Sequence, residues 1–120
     1  MKTVLVIEDE ISILNNICTI LQISGYHFIK ASNGLQALKI LSTQLPHIIL
    51  CDVMMPEMDG FEVLKNIRKN PITQSIPFCF LTARADIVDI DFGLSIGANA
   101  YVTKPFSAKD LLAAVAMLIA

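Results

Sequence analysis

A short apolar run that ends on a carboxylate constrains this chain more than any other feature. Residues 48–51 are Ile, Ile, Leu and Cys, and Asp52 follows them directly. Pro46 precedes the run, and Gly60 closes the turn that comes after it. An all-apolar run of this length predicts a strand buried on both faces of a parallel sheet that helices cover. Ligands of such sheets bind outside the carboxyl ends of the strands, so we expect Asp52 at a reactive edge.

Composition narrows the domain organisation and the class of function. A length of 120 residues predicts one domain over residues 1–120. The net charge is −2 and no run of Lys or Arg occurs, which argues against direct nucleic-acid binding. Only 17% of residues are charged, so we expect an apolar face that a partner covers. The absence of a membrane-length apolar run or a signal cleavage site predicts a cytoplasmic protein.

The cysteines and histidines are predicted to be structural. Cys18, Cys51 and Cys79 all lie in apolar segments, are odd in number and lack CxxC spacing. This pattern argues against disulfides and a zinc site and favours small core residues. His27 and His47 stand apart in the pattern beside apolar strands, so we assign neither to catalysis.

Two patterns alternate along the chain and predict βα units around a parallel sheet. Short β-branched runs predict strands at residues 4–7, 26–31, 48–52, 78–81 and 100–103. Apolar residues three and four positions apart predict a helix after each strand, the fourth over residues 86–96. Ser32 or Asn33, Asp59 and Ser107 are predicted to cap the second, third and fifth helices. The core faces of the first two helices are predicted to carry Ile11, Leu14, Ile17, Cys18 and Leu21, then Leu35, Leu38, Leu41 and Leu45.

Polar side chains follow several strands at the same edge of the predicted sheet. Right-handed crossovers bring all the carboxyl ends of parallel strands together, and this predicts one cluster of Glu8, Asp9, Asp52, Thr82 and Lys104. Crowded carboxylates favour a hard cation, and Mg²⁺ prefers carboxylate oxygens, waters and a phosphate. A carboxylate can accept a phosphoryl group when ammonium and hydroxyl donors offset the added charge. Because these residues come to one edge of the sheet from separate segments of the chain, together they predict a phosphoryl-transfer site.

The residues of this edge resemble those of a known family. The motifs are Glu8-Asp9, Asp52 with Met55-Pro56 and Asp59-Gly60, Thr82-Ala83, and Lys104-Pro105-Phe106. In combination they resemble the receiver domains of two-component response regulators over essentially the whole chain. The resemblance implies a flavodoxin-like, doubly wound α/β fold with a five-stranded parallel sheet in the order 2-1-3-4-5, flanked by five helices. Asn99 and Ala100 depart from the two acids that family members often carry there.

The resemblance also implies a role for each site residue. Asp52 would accept a phosphoryl group from the phosphohistidine of a histidine kinase or phosphotransfer protein. Mg²⁺ would bind Glu8, Asp9, Asp52 and the backbone carbonyl of Met54. Lys104 and Thr82 would contact the phosphoryl group, and the bond between Lys104 and Pro105 would be cis. Such a domain is a signalling phosphoacceptor that assists only its own phosphotransfer and dephosphorylation, so we do not expect an enzyme.

Two further expectations concern switching and the lifetime of the signal. Thr82 and Tyr101 are predicted to couple phosphorylation to a surface made by the fourth helix, fifth strand and fifth helix. Apolar residues spread around the last helix favour a homodimer through this surface. By the resemblance, Met54 and Arg84 flank the path of the hydrolytic water. Met54 is apolar and cannot orient that water, and Arg84 can lie over the phosphoryl oxygens as a bidentate donor. We therefore expect a phosphoryl group that lasts longer than in fast chemotaxis-type receivers.

The same residues argue against three other functions. A haloacid-dehalogenase-like phosphatase needs a second Asp two residues after its nucleophile, and Met54 stands there. A flavodoxin-like cofactor site needs donors after the first strand, where Glu8 to Glu10 would repel a phosphate. A degenerate receiver acting as a scaffold is disfavoured by the complete set of site residues. Met1 favours a regulator that begins with its receiver, and the apolar C-terminal helix fits either a trimmed chain or a stand-alone regulator.

Overall fold

The computed structural model describes residues 1–83 and 87–119. Five parallel strands form one sheet in the spatial order β2-β1-β3-β4-β5. The strands are β1 (Thr3–Ile7), β2 (His27–Ala31), β3 (Ile48–Asp52), β4 (Phe78–Thr82) and β5 (Ala100–Thr103). β1 and β3 pair in register with Ile7 opposite Cys51, so the residues that follow both strands emerge side by side. The predicted fold and strand order are confirmed.

A helix follows each strand, as the alternating pattern predicted. The helices are α1 (Ile11–Ile23), α2 (Gly34–Leu41), α3 (Gly60–Lys69), α4 (Ile87–Ser95) and α5 (Ala108–Ile119). Buried residues of α1 and α5 pack on one face of the sheet, and those of α2 and α3 pack on the other. Within the part of the chain that the structure describes, no helix combines the length and the apolar character needed to cross a bilayer.

Helices on both faces explain why the central strands are so apolar. Every residue of β3 and of β4 is buried. Side chains alternate along a strand, so Ile49 and Cys51 enter the core under α2 and α3 while Ile48 and Leu50 enter the core under α1 and α5. Cys18, Cys51 and Cys79 are all buried and free, which confirms their prediction as core residues.

Short polar side chains begin three of the helices at the predicted places. Asn33 is the cap of α2, since its Oδ1 accepts from the backbone N–H of Gln36 at 2.7 Å. Asp59 Oδ1 accepts from Glu62 N at 2.9 Å at the start of α3. Ser107 Oγ accepts from Asp110 N at 3.0 Å before α5. Each cap satisfies an N–H that the first turn of a helix otherwise leaves without a partner.

Three residues predicted to face the core lie at the surface instead. Leu35 and Leu45 are 58% and 52% exposed, and Ile11 is 62% exposed. α2 ends at Leu41, so Leu45 lies in the loop after it, and Ala37 with Leu41 forms the buried stripe that leaves Leu35 on the opposite side. Ile11 is the first residue of α1 and lies outside the buried stripe that begins at Leu14.

Candidate functional site

Three carboxylates meet where β1 and β3 end. Glu8 directly follows β1 and is fully buried, whereas Asp9 beside it is exposed. Asp52 is the last residue of β3 and only 6% exposed. One carboxylate oxygen from each of these residues lies within 4.8 Å of the others. The predicted acidic cluster therefore exists as a compact group at the carboxyl edge of the sheet.

Lys104 brings a positive charge into this cluster from the far side of the sheet. It follows β5, and its backbone N–H donates to the carbonyl of Thr82 at 2.8 Å. Its Nζ donates to Oε1 of Glu8 at 2.6 Å and lies 3.4 Å from Oδ1 of Asp52. One ammonium group thus bridges two carboxylates that belong to different strands. The peptide bond between Lys104 and Pro105 is cis.

The electrostatics of the cluster follow from burial and from these contacts. Burial raises the pKa of Glu8 to about 7, and the charge of Asp52 adds to the rise, while the hydrogen bond from Lys104 opposes it. Burial alone would lower the pKa of Lys104. Its hydrogen bond to Glu8 and the nearby charges of Asp52 and Glu8 outweigh burial, so the pKa of Lys104 is raised. Lys104 is therefore positively charged at neutral pH, where it can meet an incoming anion.

Close packing under Asp52 depends on Gly60. The N–H of Gly60 donates to the carbonyl of Val53 at 2.8 Å, which folds residues 53–59 back over the end of β3. A Cβ at position 60 would overlap the carbonyl oxygen of Asp52 and lie 2.9 Å from Cε1 of Phe80. Position 60 must therefore be glycine for the start of α3 to approach Asp52 so closely. The sequence indicated only a turn at this glycine.

Thr82 and Tyr101 lie on the neighbouring strands β4 and β5. Thr82 ends β4 and is 1% exposed, and Thr103 is its partner in the register of the sheet. Tyr101 pairs with Phe80, and the centroids of their rings are 5.2 Å apart. The Tyr101 hydroxyl donates to the carbonyl of Asp89 in α4 at 2.8 Å. The Tyr101 side chain thus connects β4 and β5 to α4.

A cavity of about 380 Å³ opens beside Lys104. The residues that line it are Ile13, Asn16, Ala83, Lys104, Pro105 and Phe106. Ile13 and Asn16 come from α1 and were not predicted as site residues. The signal for Ile13 was weak, because it is an apolar residue outside the buried stripe of α1, and such residues are common on helix surfaces.

Comparison with known proteins identifies the family of this chain. The family model described as response regulator receiver domain matches residues 4–116. This chain belongs to that family. A probable transcriptional regulator ycf27 of Cyanophora paradoxa is 42% identical over 98% of this chain and 48% of its own length. The chain spans about half the length of the curated relatives it matches.

Solved receiver domains share the fold closely. The chemotaxis protein CheY4 of Vibrio cholerae is 31% identical, covers 98% of each chain and superposes with a TM-score of 0.95. The receiver domain of the sensor histidine kinase PA1611 from Pseudomonas aeruginosa is 29% identical with a TM-score of 0.91, over 98% of this chain and 97% of its own. That structure has a magnesium ion coordinated in its active-site cleft.

The acidic cluster of this receiver domain fits the same kind of ion. Its donors are carboxylate oxygens on Glu8, Asp9 and Asp52, and their mutual separation of at most 4.8 Å is compatible with one small cation between them. Hard divalent cations such as Mg²⁺ prefer oxygen donors. Met54 lies two residues beyond Asp52 in the loop that follows β3, and its side chain is 58% exposed. The prediction for Arg84 lies outside the described residues.

Proposed function

We propose that this receiver domain accepts a phosphoryl group on Asp52 from the phosphohistidine of a histidine kinase or phosphotransfer protein. An oxygen of the Asp52 carboxylate attacks phosphorus, and the bond from phosphorus to the imidazole nitrogen breaks. The electron pair of that bond returns to the imidazole. The product on this chain is an aspartyl phosphate, which is a covalent intermediate of a kind that carboxylates form elsewhere.

The observation that carries the proposal is the position of the Lys104 ammonium. It lies 3.4 Å from Oδ1 of Asp52 and is bound to Glu8, so it is fixed beside the attacking carboxylate. A phosphoryl group on Asp52 adds negative charge there, and a fixed ammonium stabilises that charge without having to reorganise. Thr82, at the end of the adjacent strand, is the hydroxyl that we assign to the phosphoryl oxygens.

Mg²⁺ is the cofactor of this proposal. Glu8, Asp9, Asp52 and the backbone carbonyl of Met54 would hold it. When bound, the ion offsets the negative charge of the phosphoryl oxygens and of the carboxylates. The carboxylates of this chain would otherwise repel a phosphate, and Lys104 neutralises only part of their charge. The domain acts as a phosphoacceptor and not as an enzyme with an external product, and its cytoplasmic location stays a prediction.

The proposed output is a change in the surface formed by α4, β5 and α5. A Thr82 hydroxyl drawn toward phosphoryl oxygens leaves space that the Tyr101 ring can fill, which biases a two-state element. Tyr101 already links β5 to α4 through its hydrogen bond to the Asp89 carbonyl. The change in this surface would favour a homodimer, with no direct contact to nucleic acid or membrane.

Labelling with acetyl phosphate tests the assignment of Asp52. Wild-type protein is incubated with acetyl phosphate and Mg²⁺, and the adduct is mapped by mass spectrometry. We expect one phosphoryl group on Asp52, no labelling in EDTA, and no labelling of Asp52→Asn, because an amide is not a nucleophile at this position. Asp91→Asn is the matched control, since Asp91 is an exposed aspartate on α4. Labelling that persists in Asp52→Asn, or that disappears in Asp91→Asn, would contradict the proposal.

A further inference from the structure

Gly93 occupies the interior of α4, where glycine is the least favourable residue apart from proline. It is buried, and its φ angle needs no glycine. A Cβ at this position would overlap the hydroxyl oxygen of Tyr101 and lie 2.9 Å from Cζ of the same ring. It would also lie 3.1 Å from Cε2 of Phe80. The end of the Tyr101 ring therefore occupies the space that a side chain at position 93 would fill.

The hydrogen bond of Tyr101 explains why the ring must cross this position. Its hydroxyl donates to the carbonyl of Asp89 at 2.8 Å, and Asp89 is one helical turn before Gly93. The backbone N–H of residue 93 is the usual helical partner of that carbonyl, so the hydroxyl uses its second lone pair. The hydroxyl can reach this oxygen only by lying against the backbone at position 93.

α4 cannot easily move away to relieve a clash at Gly93, because its C-terminal end is anchored. Arg68 donates to the carbonyl of Gly97 from Nε at 3.0 Å and from Nη2 at 2.8 Å. Its Nη2 also donates to Oδ1 of Asn99 at 3.1 Å, and the backbone N–H of Asn99 donates to the carbonyl of Phe78 at 2.8 Å. A group added at position 93 would therefore act on the Tyr101 ring and not on the helix.

We propose that Gly93 is a positioning residue for Tyr101, and that a methyl group at position 93 drives the ring out of its contact with α4. The proposal rests on the proposed function in one respect only, namely that Tyr101 is the aromatic residue whose position changes on phosphorylation. With Gly93, the inward ring is hydrogen bonded and packed on Phe80. With alanine, the ring loses the Asp89 carbonyl and turns toward the exposed side of β5.

A double-mutant cycle tests the contact without any phosphoryl group. Chemical denaturation is measured for wild type, Gly93→Ala, Tyr101→Ala and the double variant. In the Tyr101→Ala background, Gly93→Ala should raise the ratio of folded to unfolded protein roughly two- to fivefold, since alanine is the better helix former. In the wild-type background it should lower that ratio. Equal stabilisation in both backgrounds would overturn the proposal, and the double variant remains informative if Gly93→Ala alone folds poorly.

A spectroscopic experiment tests the position of the ring directly. Tyr26→Phe leaves Tyr101 as the single tyrosine, which is labelled as 3-fluorotyrosine and observed by fluorine NMR. Gly93→Ala should shift the fluorine signal away from its position in the Gly93 protein. In the same variant, acrylamide should quench the fluorescence of Tyr101 more strongly, because the ring is more exposed. Ser95→Ala is the control, because Ser95 is exposed on the same helix, and it should leave the signal in place. An unshifted signal in Gly93→Ala overturns the proposal.

Beryllofluoride with Mg²⁺ separates this inference from the proposed function. In the Gly93 protein, the phosphoryl mimic should move the Tyr101 signal as the ring fills the space that Thr82 leaves, and the new position should differ from the one found in Gly93→Ala, where the ring turns outward. If the mimic moves the signal and Gly93→Ala does not, the positioning role is wrong while the switch stands. If Gly93→Ala moves the signal and the mimic does not, the positioning role stands and the proposed switch is wrong.

Discussion

At the scale of single residues, we expect the side chain of Met54 to affect the lifetime of the phosphoryl group. It lies two residues after Asp52, its side chain is 58% exposed, and a thioether orients water poorly. A carboxamide or carboxylate in this loop could hold a water for attack on an aspartyl phosphate. By the family resemblance, Arg84 flanks the same path and would lie over the phosphoryl oxygens as a donor. We therefore expect both residues to slow hydrolysis.

Replacing both residues should shorten the life of the phosphoryl group. We expect phosphate release from Met54→Asn/Arg84→Glu in Mg²⁺ to be 10- to 100-fold faster than from wild type, about 1.4 to 3 kcal/mol in barrier height. The control is Met54→Leu/Arg84→Lys, which keeps the apolar bulk and the positive charge and should release phosphate at close to the wild-type rate. Release from the Asn/Glu variant at or below the wild-type rate would show that these positions do not control the water.

The buried thiols make a separate prediction about alkaline stability. Burial raises the pKa of Cys79 to about 12, whereas the unfolded thiol titrates near 9. As pH rises, the unfolded chain therefore loses this proton before the folded chain does. The contribution of the buried thiol to the free energy of unfolding is complete below pH 9 and declines between pH 9 and about pH 12. In urea unfolding above pH 9, the free energy of unfolding should fall more steeply with pH in wild type than in Cys79→Ala. The difference in slope should be up to about 1.4 kcal/mol per pH unit. Parallel pH profiles would refute this linkage.

At the scale of helices and strands, Arg68 is the residue that joins the end of α3 to the segments around it. Besides Gly97 and Asn99, it donates from Nη1 to the carbonyls of Gln74 at 3.0 Å and Ile76 at 2.8 Å. One guanidinium group thus satisfies backbone carbonyls in the loop before β4 and in the turn after α4. Its planar array of five N–H donors suits this arrangement better than a lysine would.

Removal of this group should destabilise the fold while sparing the site chemistry. Arg68→Leu leaves several carbonyls without their partner, and we expect a loss of about 2 to 4 kcal/mol in the free energy of unfolding. Arg68→Lys should recover only part of that loss. Lys69→Leu is the matched control at the next position of α3 and should change stability by less than about 0.5 kcal/mol. The idea fails in urea denaturation if Arg68→Leu and Lys69→Leu unfold at the same midpoint.

At the scale of the whole molecule, the surface formed by α4, β5 and α5 carries exposed apolar side chains. Leu94 of α4 is 45% exposed and Met117 of α5 is 65% exposed, whereas the ring of Phe92 packs against Phe61 of α3. A cavity of about 300 Å³ lies between β5 and α5, with Tyr101 and Ala113 among its lining residues. We expect such a surface to favour association once Tyr101 changes position. Ile72, in the loop after α3, is 70% exposed but belongs to another part of the molecule.

Dimerisation through this surface can be measured by sedimentation. We expect wild type to become a dimer with beryllofluoride and Mg²⁺, and to be monomeric without them. Met117→Lys should prevent the dimer, because it places a charge in an apolar contact that excludes water. Ile72→Lys changes an equally exposed residue elsewhere and should leave the dimer intact. A monomer under both conditions, or a dimer that persists in Met117→Lys, would exclude this surface as the dimer contact.

The sequence alone determined how strands and helices alternate along the chain, and which residues stand at the strand ends. Those features depend on short-range patterns: apolar runs of four or five residues, helical periodicity, and capping side chains such as Asn33 and Asp59. Because parallel strands share one carboxyl edge, the pattern alone was enough to bring Glu8, Asp52 and Lys104 together. The strand order itself came from the family resemblance and is confirmed.

Only the tertiary structure decided which apolar residues are buried and how the polar groups pair. Leu35 is exposed while Ala37 is buried, because the rotation of α2 on the sheet depends on packing against α3. The 2.6 Å contact between Lys104 and Glu8 joins residues 96 positions apart, which no local pattern reports. This contact limits the rise that burial causes in the pKa of Glu8, and it raises the pKa of Lys104 against the effect of burial. Position 93 also depends on tertiary structure. A side chain there would overlap Tyr101 of β5, and α4 and Tyr101 come into contact only once the chain has folded.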